Sequence, residues 1–258
     1  MPVLSWRAQR QLTYFGIFSV IVFIIVFALI SYFRPAPTCF DKTQNQNEEG
    51  VDCGGTCKPC LGEIKDIVVL WTRFFEISPS YYDVAVLVEN PNLFAGSPVV
   101  HYEIKLHDEK NILVALGAGT TFINPQERFI VFESGIKTAN RVPAKVSIEF
   151  SPISWERREE EKPQVSAFQY STELSPTGRI QMTLRNENFL PEENLEVSAA
   201  LLDENGNAFA VSRSRVEKIA PNSVQSLGLT WPFAFPEEPS TIQTFIRRVP
   251  KEFLESEI

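Results

Sequence analysis

"YDVAVLVENPN" occupies Tyr82–Asn92. Val84, Val86 and Val88 recur at every second residue, the period of a strand that buries one face. The run ends in Asn90-Pro91-Asn92, where turn-forming residues and a missing backbone donor stop a strand. The stretch decides the fold because it comes twice. "RIQMTLRNEN" at Arg179–Asn188 alternates Ile180, Met182 and Leu184, and its Asn186 falls where Asn90 does.

The correspondence runs on in both directions. "VHYEIKLHDEKN" from Val100 alternates Tyr102, Ile104 and Leu106 before a turn at Asp108. "LEVSAALLDENGN" from Leu195 alternates Val197, Ala199 and Leu201 before Asp203–Gly206, a hairpin signal because Asn-Gly tolerates positive φ. "FINPQERFIVF" lies over "KIAPNSVQSLGL", pairing Pro125 with Pro221, and "VPAKVSIEF" lies over "EPSTIQTFI". The period of about 96 residues is the size of a domain, not of a solenoid unit. Strands with turn signals at this spacing predict two tandem immunoglobulin-like β-sandwiches of about seven strands each, at 62–152 and 164–250. Residues 164–258, which hold the second copy and no cysteine, are expected to fold alone. The charged run in "SPISWERREEEKPQ" predicts a solvated linker at 153–163 that can hold a short helix across Trp155–Glu161, with a basic–acidic docking site as the alternative. Residues 251–258 read as a tail.

The second copy resembles the FxLYD-type domain of exported bacterial proteins and the related late embryogenesis abundant type 2 sandwich. Asn186, Val197, Leu201, Leu202, Asp203, Gly206 and Pro221 carry the likeness. Asn90, Leu106, Asp108 and Pro125 carry it in the first copy, where His107 departs from the usual apolar or aromatic residue. The resemblance implies an extracytoplasmic sandwich without a catalytic centre.

Upstream, "QLTYFGIFSVIVFIIVFALISYF" at 11–33 has no charge and no polar stripe. About 20 such residues cross a hydrocarbon core. Arg7 and Arg10 precede it, whereas Asp41, Glu48, Glu49 and Asp52 follow, so positive charge predicts a cytoplasmic tail at 1–10 and everything after the span outside. The apolar stretch exceeds a signal-peptide core and has no A-x-A-like site after it, which favours an uncleaved anchor.

All four cysteines lie at 34–61, as Cys39, Cys53, Cys57 and Cys60. A zinc site and a C-x-x-C redox centre at Cys57–Cys60 are the rivals of a disulfide framework. The compartment disfavours zinc, and the absence of a following helix disfavours redox chemistry. Two structural disulfides are expected, in any of three pairings. Asn45, Asn47 and Glu49 followed by Gly50 have the spacing of the first half of a calcium loop, with Asp41 or Asp52 as further ligands, but Thr56 stands where a bidentate Glu belongs. Calcium is therefore a candidate cofactor. The segment also resembles a short cysteine-rich element of exported bacterial and archaeal surface proteins, through Asp52-Cys53-Gly54-Gly55; Lys42 stands where that pattern has Gly. It implies export and no activity.

Enzyme signatures are missing from the sequence. It contains no nucleophile elbow, zinc-protease helix, P-loop or dinucleotide fingerprint. "GAGTT" at Gly117 reads as a segment between strands, and His101 and His107 read as surface histidines without a carboxylate beside them. The net charge of −8 excludes a nucleic-acid partner of the usual basic kind. The sequence predicts a non-catalytic, single-pass membrane protein whose sandwiches bind envelope proteins. A calcium-dependent adhesion or ligand-binding protein and an accessory subunit of a membrane enzyme or secretion complex are the alternatives.

Overall fold

The computed structural model describes residues 6–33, 38–45, 47–58, 60–159 and 162–256. The chain divides into one unit up to Cys60 and a second from Leu61 onward. The first unit contains α1 (Trp6–Phe33), which begins five residues before the apolar stretch proper. Its Arg10–Leu29 window is long and apolar enough to cross a membrane.

The second unit is built of antiparallel strands: β1 (Val68–Ser78), β2 (Tyr81–Glu89), β3 (Ala95–His107), β4 (Leu113–Ile123), β5 (Arg128–Lys137), β6 (Lys145–Phe150), β7 (Glu156–Arg157), β8 (Val165–Glu173), β9 (Arg179–Asn186), β10 (Glu192–Leu202), β11 (Ala208–Ile219), β12 (Val224–Thr230) and β13 (Thr241–Arg248). The first half pairs β1-β2-β5 and β4-β3-β6; the second pairs β8-β9-β12 and β11-β10-β13. Among the described residues the first half thus has seven strands, counting β7 against β3, and the second six, with the same order of pairing in both.

The alternating residues face inward as the sequence predicts. Val84, Val86 and Val88 meet Tyr102, Ile104 and Leu106 inside the first sandwich. Ile180, Met182 and Leu184 meet Leu195, Val197, Ala199 and Leu201 inside the second, closed by Trp231 and Phe235. "GAGTT" lies within β4, not between strands. Gly119 is needed there because a Cβ would sit 2.5 Å from the Tyr102 hydroxyl.

The two halves pack against each other. Ala85, Leu87 and Ile130 on the outer face of β1-β2-β5 pack against Ala200, Leu202 and Val211 on the outer face of β11-β10-β13. Trp71, Phe75, Phe132 and Phe245 border this layer. β2 and β10 are consequently buried on both faces. The outward residues of β3 (His101, Glu103, Lys105) and of β9 (Gln181, Thr183) are polar, and those faces remain outside the stack. Residue chemistry therefore selects which sheets meet.

Two segments expected to be peripheral are part of this packing. The 153–163 linker forms no helix among its described residues; β7 pairs with the start of β3, and Trp155 packs on the first core. In place of a tail there is α2 (Lys251–Ser256), whose Phe253 joins Phe122 and Val249 in an apolar cluster. Phe253 meets the Phe122 ring edge-on at 5.0 Å.

Candidate functional site: the cysteine knot and the loop end of the sandwich pair

Cys39 pairs with Cys57 and Cys53 with Cys60. Among its described residues the knot has no apolar core, and polar contacts order it beside the two disulfides. Glu48, only 6% exposed, is its centre. Its Oε2 accepts the N–H groups of Asn45 and Asp52 at 3.1 and 3.2 Å. Asp41 accepts Thr43 N–H at 2.9 Å, Thr38 N–H at 3.1 Å and the Asn45 amide at 2.8 Å. These bonds hold its carboxyl below the usual range, the Thr38 bond first among them. Both Asp52 oxygens accept Lys42 N–H at 3.0 Å. Lys42 is left-handed at φ 60°, which explains why glycine suits that position.

The calcium candidates separate into two groups. Asp41 and Asn45 are joined directly, and Asp52 closes on Lys42. Asn47 and Glu49 are exposed, and Glu49 N–H bonds Cys53 O at 3.0 Å. Gly54 and Gly55 pass so close that a Cβ would lie 2.6 Å from Glu49 Cβ and 2.4 Å from Asn47 O, respectively. An ion held here would draw its oxygens from Asp41, Asn45 and Asp52; the Asp41 and Asp52 carboxylates already accept backbone N–H groups. Cys39, Glu48 and Cys57 also bring ligand-type atoms within 4.8 Å, but both sulfurs are consumed by one disulfide. Glu48 was visible in sequence only as one acid of several; its burial depends on the pairing of the cysteines.

In the second unit the chemistry concentrates where the sandwiches meet. Arg247 of β13 is 1% exposed. Its guanidinium stacks 3.6 Å from the Phe122 ring centre and 4.3 Å from that of Phe129, and it donates to Phe122 O. Glu127 lies 3.5 Å from its Nε and Glu196 3.8 Å. Burial pushes the Glu127 carboxyl up more than Arg247 draws it down. Burial likewise pulls Arg247 below its ordinary value. Tyr102 donates to Glu133 Oε2 at 2.9 Å, and burial beside that carboxylate keeps the phenol protonated far above its normal range. Such a group donates hydrogen bonds and does not act as a base. His101 is exposed and His107 half-buried.

The loops at one end are clamped by equivalent asparagines. Asn90 donates to Ala95 O and Asn124 O, both at 2.8 Å, while its Oδ1 accepts Asn92 N–H. Asn186 donates to Leu190 O at 2.8 Å and to Ile219 O and Ala220 O, both at 3.2 Å, while its Oδ1 accepts Asn188 N–H. Gln126 and Asn222 share a φ of 49° and bond to Asn92 O and Asn188 O. At the opposite end, Asp108 and Asp203 each accept two N–H groups of their own hairpins. Only Gly206 of the Asn-Gly pair takes positive φ, in the place held by Asn111 in the first half.

Lys65 and Asn92 exchange two bonds of 2.8 Å, so the chain enters the second unit at the clamped end. Arg158 N–H bonds Phe94 O there, and Arg157 covers the Phe94 ring at 4.7 Å. Searches with protein-family models and against curated proteins return no match to this chain.

Proposed function

We infer that the chain is a single-pass, membrane-anchored extracytoplasmic protein that presents a tandem pair of immunoglobulin-like sandwiches to other envelope proteins, without catalysis. The carrying observation is the order of parts: an apolar helix of 28 residues, then two disulfides within 22 residues, then a large β unit free of cysteine. Disulfides persist in oxidising compartments, which supports placing the knot outside. The matched clamps at Asn90 and Asn186 support a duplicated domain, in keeping with the FxLYD-like and late-embryogenesis-like resemblance. The shared layer between the sandwiches favours presentation as one rigid body. A reporter fused after Ile258 should be active only outside the cytoplasm, and activity inside would defeat the anchored reading. Crosslinking in intact membranes, followed by denaturing purification, should give adducts with envelope proteins; uncrosslinked monomer alone would defeat the binding role.

A further inference from the structure

The β2–β3 and β9–β10 loops end on bare apolar side chains. Leu93 and Phe94 are 53% and 44% exposed, and Phe189 and Leu190 are 84% and 67% exposed. Scattered exposed apolar residues need no explanation. These four come as adjacent pairs on two equivalent loops, which hang from the fully buried Asn90 and Asn186. Arg158 links them, lining one cleft with Phe94 and another with Leu190. Arg157, Lys162 and Lys251 border the same clefts. Apolar tips among long cationic side chains suit the boundary between headgroups and acyl chains. Glu159, Glu193 and Glu252 share this rim, so apolar contact and not net charge must carry the attachment.

Chain connectivity selects the occupant. The stretch from Phe33 to Lys65 would reach roughly 110 Å if extended. Cys39–Cys57, with 5.5 Å between Cα atoms, bypasses 18 of those residue-to-residue steps. The covalent path then reaches at most about 55 Å in any arrangement of the two units. A short tether raises the effective concentration of this end at the bilayer. We propose that the Leu93–Phe94 and Phe189–Leu190 tips dip into the outer surface of the bilayer that α1 crosses. The proposal rests on α1 being an anchor, which the reporter tests separately: an outside reporter with failed lipid contact rejects this proposal alone.

The test uses full-length protein in phosphatidylcholine vesicles without other proteins. A diazirine-bearing amino acid replaces Phe189 in one sample and Val142 in another. Val142 is 73% exposed and lies beyond the far end of β3, where Ala144 N–H bonds His107 O. Photolysis should give roughly tenfold more lipid adduct at 189 than at 142, given the higher local lipid concentration at a seated tip. Equal yields, or none at 189, overturn the proposal. In native membranes, protein adducts replacing lipid adducts at 189 also overturn it and assign the end to a protein partner.

Discussion

The guanidinium of Arg247 lies 3.6 Å from the centre of the Phe122 ring, joining the last strand of one sandwich to the fourth strand of the other. Around it stand two buried carboxylates, Glu127 and Glu196. Removing one member of a buried ionic group strands the others, typically at about 3–5 kcal/mol. Arg247→Met should therefore destabilise the protein by about that amount in a denaturant melt. Adding Glu127→Gln should recover part of the loss, because it removes a carboxylate left without its partner.

The same contact bears on cooperativity. Residues 164–258 expressed alone would expose Ala200, Leu202, Val211, Arg247 and Phe253, all now covered. That fragment should melt gradually or aggregate, whereas the pair should unfold in one transition. A cooperative melt of the fragment, matching its behaviour in the full chain, would show that the shared layer contributes little.

Period-2 alternation correctly located both cores, and the match of Asn90 to Asn186 located both clamps. The alternation was taken from Val84, Val86 and Val88, although Ala85 and Leu87 between them are apolar too. A continuous apolar run signals a strand covered on both faces. "VSAALL" carries the same signal at Ala200 and Leu202. Arg247 could not be found this way, since an arginine beside Arg248 near a strand end reads as solvated. Nor could the cysteine pairing, because it depends on turns at Lys42, Asn47 and Asp52 with positive φ that the sequence does not announce.

The clamps should be costly to lose. Asn186→Ala leaves the carbonyls of Leu190, Ile219 and Ala220 without that donor, and an unsatisfied buried group such as Ile219 O costs about 1–3 kcal/mol. Asn186→Asp keeps the acceptor for Asn188 N–H but turns a carboxylate toward those carbonyls, so its loss at neutral pH should be larger. A smaller loss for Asp than for Ala would show that the acceptor matters more than the donor.

Glu127 sets a pH dependence of definite sign. Its folded value is raised above the ordinary 4.5 by burial. The folded state then holds the proton to higher pH than the unfolded state does, so this group's contribution falls as pH rises from about 4.5 through the folded value. Glu127→Gln should flatten that slope above pH 4.5. Asp108 and Asp203 act oppositely: backbone hydrogen bonds lower both, so their contribution is lost as pH falls below 3.8. An unchanged slope in Glu127→Gln would place the titration elsewhere.

Reduction should unfold the knot and leave the β unit intact. Losing a native disulfide from a small element typically costs about 2–5 kcal/mol. No cysteine lies beyond Cys60, so reductant should free residues 39–60 to protease without moving the main thermal transition. A shift in that transition would mean that the knot supports the sandwiches.

The central claim is that a disulfide-closed knot stands outside the membrane, between the apolar helix and the sandwich pair. The most direct measurement treats intact cells with a membrane-impermeant maleimide, before and after an impermeant reductant, and weighs the full chain. Both disulfides are closed and no cysteine is free, so the account predicts no addition before reduction and four afterward. Labelling without reductant, or labelling that requires the cells to be opened, would contradict it.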